Sequence, residues 1–245
     1  MKRIFDFIVS IIILLIVSPV FLILSILIWR QDHHSPFYIA LRVGKKSNLF
    51  KMIKLRSMIV GADKTGVDST SADDNRITKL GKFIRSYKLD ELSQLINVLK
   101  GDMSLVGPRP NVLRDVALYT EEERKLLTVK PGITDLSSIV FADEGEILAG
   151  SKDPDVVYNQ LIRPWKSRLG ILYVERQSFL LDIKLMILTI ITIFSQQLAL
   201  RGIHKILNNL NASDELKNTC NRKEPLRACP PPGADQIVTS REIMQ

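Results

Sequence analysis

From Phe7 to Trp29 the chain carries no charge, and nearly every position is Ile, Leu, Val or Phe. As a helix this run would be about 35 Å long, enough to cross the hydrocarbon of a bilayer. Its length, and the lack of a small-residue cleavage site after it, argue against a signal peptide. Two forms remain open: a helix that spans the membrane, and one that enters, bends and leaves on the same side. Ser18-Pro19 lies near the middle of the run. Pro19 has no N–H, so the Leu15 carbonyl loses its helical partner and the ring favours a bend. The Ser18 hydroxyl can satisfy part of the exposed backbone. Cations flank both ends, Lys2 and Arg3 before the run and Arg30, Arg42, Lys45 and Lys46 after it. A re-entrant helix keeps both flanks on the cytoplasmic side, and a spanning helix keeps one.

Further on, Phe37, Ile39, Leu41 and Val43 alternate with other residues, the period of a half-buried strand. Gly44 to Asn48 reads as a turn and Leu49 to Met58 as a second strand, which predicts a hairpin. Gly61 to Asn75 is polar and reads as a loop. Helical patterns cover Lys79 to Ser86 and Leu92 to Lys100, the second with Leu92, Leu95, Ile96 and Leu99 on one face and Gly101 as its stop. Glu121 to Val129 reads as helix, Lys130-Pro131-Gly132 as a breaker, and Asp155 to Glu175 as helix with an interruption at Pro164. Phe179 to Leu200 is strongly apolar but holds Asp182, Lys184, Gln196 and Gln197. It suits a helix buried in the fold or lying at the membrane surface. After Asn211 no period remains, and Cys229-Pro230-Pro231-Pro232-Gly233 with scattered charge predicts a disordered tail.

The formal charge of +8 matters through its placement. The tail from Asn211 carries five positive and five negative residues, whereas Arg30 to Met58 holds seven cations and one anion, Asp32. Such a patch attracts phosphate, on nucleic acid, lipid headgroups or small molecules. Two cysteines, Cys220 and Cys229, make no disulfide framework and no metal site. They fit a reducing compartment, and His33, His34 and His204 read as surface residues.

The chemistry concentrates between Gly81 and Pro110. Asp90 and Glu91 are adjacent carboxylates just ahead of an amphipathic helix, with Ser93 as its N-cap or first-turn residue. In mid-helix they would point about 100° apart, but in the entering turn they can converge on one ligand. An acidic pair at a helix start is ordinary on its own. The setting changes that. Arg85 lies five residues earlier, Arg109 sits between two prolines that restrict its backbone, and Lys54 lies on the second strand. Cations and paired carboxylates beside a membrane anchor point to phosphoryl chemistry on a membrane substrate. The carboxylates could also hold Mg²⁺ together with substrate phosphates.

Taken together, Ser18-Pro19 in its apolar run, FKMIKLRSM (Phe50–Met58), LDEL (Leu89–Leu92), NVLKGDMSLVGPRP (Asn97–Pro110) and KPGIT (Lys130–Thr134) are collinear motifs. From Lys2 to Ile203 the chain resembles the bacterial sugar transferases, the small monotopic phosphoglycosyl transferases. The resemblance implies an α+β, mostly helical fold. Residues 1–30 would form a re-entrant membrane helix broken at Ser18-Pro19. Residues 31–210 would form a cytoplasmic-face catalytic domain with a small β-hairpin and interfacial helices, and 211–245 the disordered tail. It implies Asp90 as nucleophile toward a UDP-sugar, Glu91 as its partner carboxylate, and Lys54, Arg85 and Arg109 as phosphate-binding cations. Mg²⁺, held at Asp90 and Glu91, would be the cofactor. A UDP-sugar, polyprenyl (undecaprenyl) phosphate and inner-membrane lipids would be the partners, nucleic acid would not, and a homodimer is left open. The product would be a polyprenyl-diphosphate-sugar that starts a surface glycan.

Three positions depart from the usual pattern: Ser93 stands where proline is usual, Lys88 where serine or threonine is usual, and Asp135-Leu136-Ser137-Ser138 where Gly-Leu and a polar residue are usual. The last bears on recognition of the sugar. A basic membrane adaptor that binds anionic lipid or nucleic acid is the competing reading. It accounts for charge and anchor but not for the carboxylates or the Arg109 turn. A polytopic transferase needs many spanning segments, and one clear apolar run is present.

Overall fold

The computed structural model describes residues 1–239. Helix α1 (Lys2–Asp32) continues as one helix through Ser18-Pro19, where the resemblance implied a break. The Ser18 hydroxyl donates to the Leu15 carbonyl at 2.8 Å, the acceptor that Pro19 cannot serve. Both ends of α1 dock on the rest of the chain. Near its start, Phe5, Val9, Ile13 and Leu14 pack on the main core, and Asp6 accepts a 2.7 Å hydrogen bond from Ser104. Near its end, Leu24 and Ile28 are buried with Leu55 and Ile84. Between the two docks Leu15 and Ile16 are 70% and 71% exposed, and Val20, Leu22 and Ile23 are exposed as well. Among the described residues, little covers these apolar side chains at mid-helix.

Strands β1 (Phe37–Val43) and β2 (Leu49–Leu55) form the antiparallel hairpin expected from the alternation, with Phe37 opposite Leu55 and Val43 opposite Leu49. The second strand ends before Met58 because β1 has no residue left to pair. Arg56 instead turns in, its Nε donating to the Ser35 carbonyl at 2.8 Å and its Nη2 to Asp32 at 2.7 Å. Helix α2 (Lys79–Ser86) is capped by Thr78, whose side chain accepts from the Gly81 N–H at 2.9 Å. Helix α3 (Gln94–Lys100) follows and stops at Gly101, which holds φ +94°. Strand β3 (Ser104–Val106) pairs in parallel with β4 (Gly132–Thr134), on the far side of the short helix α4 (Leu113–Ala117). No alternation reveals β3, because all three of its residues are buried.

The C-terminal half is helical. Helices α5 (Leu136–Val140), α6 (Glu144–Ile147) and α7 (Pro154–Val157) are short, and α8 (Arg163–Arg176), α9 (Phe179–Phe194) and α10 (Gln196–Asn209) are long. The main core lies among them, around Leu136, Leu148, Leu169, Leu185 and Ile203. Glu123 to Thr128 is a 3-10 segment rather than an α-helix. The break expected at Pro164 comes just before it, as a π-turn over Tyr158–Ile162. Pro164 has no N–H for the carbonyl of Gln160, and that carbonyl accepts from the Cys229 N–H at 3.2 Å instead. The single helix expected over Phe179 to Leu200 is two. Ser195 ends α9 and caps α10 through the Leu198 N–H, and Gly202 lets α10 close on Leu188. Phe179, Leu180, Ile187, Ile190, Phe194 and Leu198 remain exposed on this pair.

The stretch after Asn211 is not featureless. Ser213 caps a helix, α11 (Asp214–Cys220), which buries Leu216 and Cys220 against the core. The chain beyond it is tied at Cys229 and at Pro232, whose carbonyl accepts from Thr120 at 2.6 Å. Only Leu216 and Cys220 are apolar in α11, so no apolar run marks it in the sequence. Residues 240–245 of the expected tail lie outside the described residues.

One buried ion pair holds the middle of the chain to α8. Glu123 is fully buried and accepts from Arg163 Nε and Nη2 at 3.0 and 2.6 Å, and from Ser167 at 2.6 Å. Removing one partner leaves a charge stranded in the interior. Arg163→Met should therefore cost about 3–5 kcal/mol and lower the thermal midpoint by roughly 10 °C. A melting curve of the detergent-purified protein reads this, and an unchanged midpoint would contradict it.

Candidate active site

Strand β2 has β1 on one edge, and side chains of α3 fasten the other. Asn97, fully buried, accepts from the Ile53 N–H at 3.0 Å and donates to the Lys51 carbonyl at 2.7 Å. Ser93 does not cap α3. Its hydroxyl reaches the Ile53 carbonyl at 3.0 Å and the Asp90 carbonyl at 3.1 Å. The residue in the usual proline position thus ties the turn bearing the carboxylates to the strand bearing Lys54.

That turn is a 3-10 segment, Leu89–Glu91, entered through Lys88 in a left-handed conformation at φ 54°. The reversal brings both carboxylates to one cation. Lys54 Nζ lies 3.6 Å from Asp90 Oδ2 and 4.0 Å from Glu91 Oε1. From the other side Arg109 Nη2 donates to Glu91 Oε1 at 2.5 Å. Sequence spacing brought Asp90, Glu91, Lys54 and Arg109 into consideration, and all four meet here. Arg85 stands apart. It is half-buried on α2 and makes no ion pair among the described residues, although its charge reaches Lys54.

Arg109 is placed by the β3–β4 pair. The Gly107 N–H donates to the Thr134 carbonyl and the Gly132 N–H to the Pro108 carbonyl, each at 3.0 Å. The two backbones come so close that a Cβ on Gly132 would lie 2.1 Å from the Gly107 nitrogen. This is the physical reason for glycine in both GPRP and KPGIT, and for the two motifs being needed together.

The electrostatics are those of a crowded, half-buried site. Burial alone would raise the Glu91 carboxyl, but Arg109 and Lys54 overcome it and hold the group down to about 2. Burial and the neighbouring Arg109 charge push the Lys54 ammonium below its usual range, against the pull of Asp90 and Glu91. Glu91 raises the Arg109 guanidinium further. Lys88 is lowered, chiefly by burial, and its ammonium donates to the Ser138 carbonyl at 3.3 Å. Two of the departures therefore meet. Asp135 is buried as the cap of α5, accepting from the Ser138 N–H at 2.7 Å and from Ser137 at 2.9 Å, so its own carboxylate does not face a substrate. Sequence reasoning did not find Asn97, nor the Glu144–Lys166 ion pair beside Tyr158. Asn97 is a polar residue flanked by Ile96 and Val98, and that is the signal the sequence offers.

Comparison with known proteins adds to this geometry. The family described as bacterial sugar transferase matches residues 1–196. The chain is 37% identical over 191 residues to the uncharacterized sugar transferase EpsL of Bacillus subtilis, covering 78% of this chain and 85% of that one. It is 34% identical over 197 residues to the UDP-glucose:undecaprenyl-phosphate glucose-1-phosphate transferase of Klebsiella pneumoniae, covering 77% of this chain and 39% of the relative. It is 40% identical over 154 residues to the undecaprenyl-phosphate galactose phosphotransferase of Salmonella typhimurium, covering 56% and 32%. The chain thus spans most of the first relative and well under half of the other two.

Proposed function

The chain belongs to the bacterial sugar transferase family, and we propose that it moves a sugar 1-phosphate from a UDP-sugar to polyprenyl phosphate. The reading rests on one observation: two adjacent carboxylates share Lys54, but only Glu91 is also gripped by Arg109. Glu91 is an anchor, held by Arg109 and Lys54, which favour its ionised form. Asp90, 7% exposed and touched by Lys54 at 3.6 Å, keeps lone pairs free to react. It is the nucleophile.

In the first step an Asp90 oxygen bonds to the sugar-bearing phosphorus. The bond from that phosphorus to the bridging oxygen breaks, and UMP leaves with the electron pair. In the second step an oxygen of polyprenyl phosphate bonds to the same phosphorus, the acyl-phosphate bond breaks and the Asp90 carboxylate returns. Lys54 and Arg109 offset the charge that develops on the transferring and leaving oxygens. Arg85 supplies further positive charge at the rim. Among the described residues no group of three His, Cys, Asp or Glu side chains could hold a metal. Mg²⁺ needs fewer, and Asp90 and Glu91 fit it when the donor's phosphates complete the shell. When bound there, it would supply neutralisation of the diphosphate charge.

The membrane reading is that α1 is re-entrant and the body of the chain sits on the cytoplasmic face of the inner membrane. Docking of both helix ends on one body, with bare apolar side chains on either side of Ser18-Pro19, supports it. A straight span would carry one end to the far side, away from its partners. The exposed apolar residues of α9 and α10 suit a helix pair lying in the interface. In a background free of Cys220 and Cys229, a cysteine placed ahead of Met1 and another at Lys45 should both be closed to impermeant reagents applied outside intact cells. Labelling of either one from outside would overturn the re-entrant form.

The activity itself is tested by offering membranes that carry the chain a panel of UDP-sugars with undecaprenyl phosphate. Release of UMP and appearance of a diphosphate-linked lipid are expected with at least one donor. No release with any donor, from folded and membrane-bound protein, would favour the adaptor alternative.

A further inference from the structure

The first turn of α1 reaches the loop that carries Arg109. Lys2 Nζ donates to the Val106 carbonyl at 3.1 Å, lies 3.3 Å from the Tyr173 hydroxyl, and forms an ion pair with Asp182. The Tyr173 hydroxyl lies 2.6 Å from Asp182 Oδ1 and 3.2 Å from the Val106 carbonyl. Tyr173 and Asp182 are 1% and 4% exposed. Four groups from four elements therefore close on one point: the ammonium from α1, the phenol from α8, the carboxylate from the first turn of α9, and the last carbonyl of β3. Val106 is three residues before Arg109, and the next two residues are held by Thr134 and Gly132. With Val106 fixed as well, the segment has no slack before its guanidinium meets Glu91.

We propose that Lys2 is a positioning residue for Arg109: with Tyr173 and Asp182 it clamps the Val106 carbonyl, so that seating the membrane helix completes the phosphate grip. The inference rests on the proposed transferase activity. Its physical basis is a contiguous chain of contacts between rigid elements, along which a shift of about 1 Å at a catalytic group can cost around a hundredfold in rate. Arg3 serves as the contrast. It is the neighbouring cation and donates to the carbonyls of Val98 and Leu99 at the end of α3, and among the described residues none of its hydrogen bonds goes to Val106, Tyr173 or Asp182.

The test uses the full chain in nanodiscs, with a UDP-sugar donor that the wild type accepts. Lys2→Met should slow first-turnover UMP release at least about tenfold, while Arg3→Met stays within about twofold. In the Arg109→Ala background, Lys2→Met should add no further loss, because its effect passes through Arg109. Hydrogen exchange of the peptide spanning 104–111 should quicken in Lys2→Met, with the peptide spanning 49–55 unchanged. Equal losses for Lys2→Met and Arg3→Met, or the same factor lost with and without Arg109, would overturn the proposal in favour of general destabilisation. So would unchanged exchange over 104–111. If the wild type releases no UMP from any donor, the transferase reading fails, and the exchange data still decide whether Lys2 holds the loop.

Discussion

Supplied with a UDP-sugar and no lipid acceptor, the wild-type enzyme should release UMP in a burst of about one per chain and stop, and Asp90→Asn should release none. An amide has nearly the shape of the carboxylate but is a far poorer nucleophile, so the variant isolates bond formation from packing. Asp90 is almost fully buried, and the turn that carries it is held through Ser93, whose bonds are to the backbone of Asp90 and Ile53 and survive the substitution. Steady turnover should fall by about ten-thousandfold or more, the scale seen when a covalent nucleophile is removed. Mass spectrometry of the stalled wild type should place a phosphosugar on the peptide containing Asp90. Normal rates in Asp90→Asn, with no labelled enzyme, would mean direct transfer in a ternary complex. The fold and family assignments would stand.

Arg109→Ala has the second largest expected effect, and it has two readable parts. The first is rate. If the half-buried Arg109 cation grips phosphate as proposed, removing it should lower kcat about a hundredfold to a thousandfold. The second is pH dependence. In the wild type Glu91 is held down to about 2, so it stays ionised throughout the working range. Without Arg109 the strongest opposing charge is gone, and burial pushes the carboxyl upward. A carboxylate with a depressed pKa loses its charge only as pH falls through that value. Raising the value moves the loss to higher pH, so the acid limb of the rate profile should shift toward neutrality in Arg109→Ala. The limb staying in place while kcat falls would mean that Lys54 alone fixes Glu91. Near-normal activity in a folded variant would remove Arg109 from the phosphate grip.

The apolar and amphipathic patterns reveal α1, the hairpin, α2 and α3 as elements, but the buried positions of α3 are Gln94, Leu95, Asn97 and Val98 rather than the expected face of Leu92, Leu95, Ile96 and Leu99, because Asn97 is drawn in to hold β2. Strands β3 and β4 are hidden by their length: three residues are too few to mark an alternation in the sequence. Ser195 was read as part of a continuous helix, because the residues on both sides of it are apolar at helical spacing, and a serine cap is a weak mark within such a run. Helix α11 offers a single apolar pair among polar residues, and its burial depends on Leu216 and Cys220 meeting surfaces far away in sequence. In the site, Asp90, Glu91, Lys54 and Arg109 were legible because charged residues with restricted backbones stand out. Arg85 joins them through its spacing and the family resemblance, and from α2 it forms no ion pair with the carboxylates among the described residues, although its charge reaches Lys54. Lys2 was read only as a membrane flank, since nothing near it in sequence marks its partners at Val106, Tyr173 and Asp182.

Those partners set an order for the making of the protein. Asp6 pairs with a residue 98 positions later, and Lys2 with one 180 positions later. When the apolar helix leaves the ribosome, neither partner has been synthesised, and the helix has nowhere to bury its side chains except lipid. Contacts so far apart in sequence form late, after their intervening chain has been made and closed. The bilayer must therefore receive α1 first, and the catalytic body must fold down onto a helix already in place. A nascent chain released before Asp182 would hold a membrane helix and the carboxylate turn, but not the ion pair that joins its first residues to the finished body.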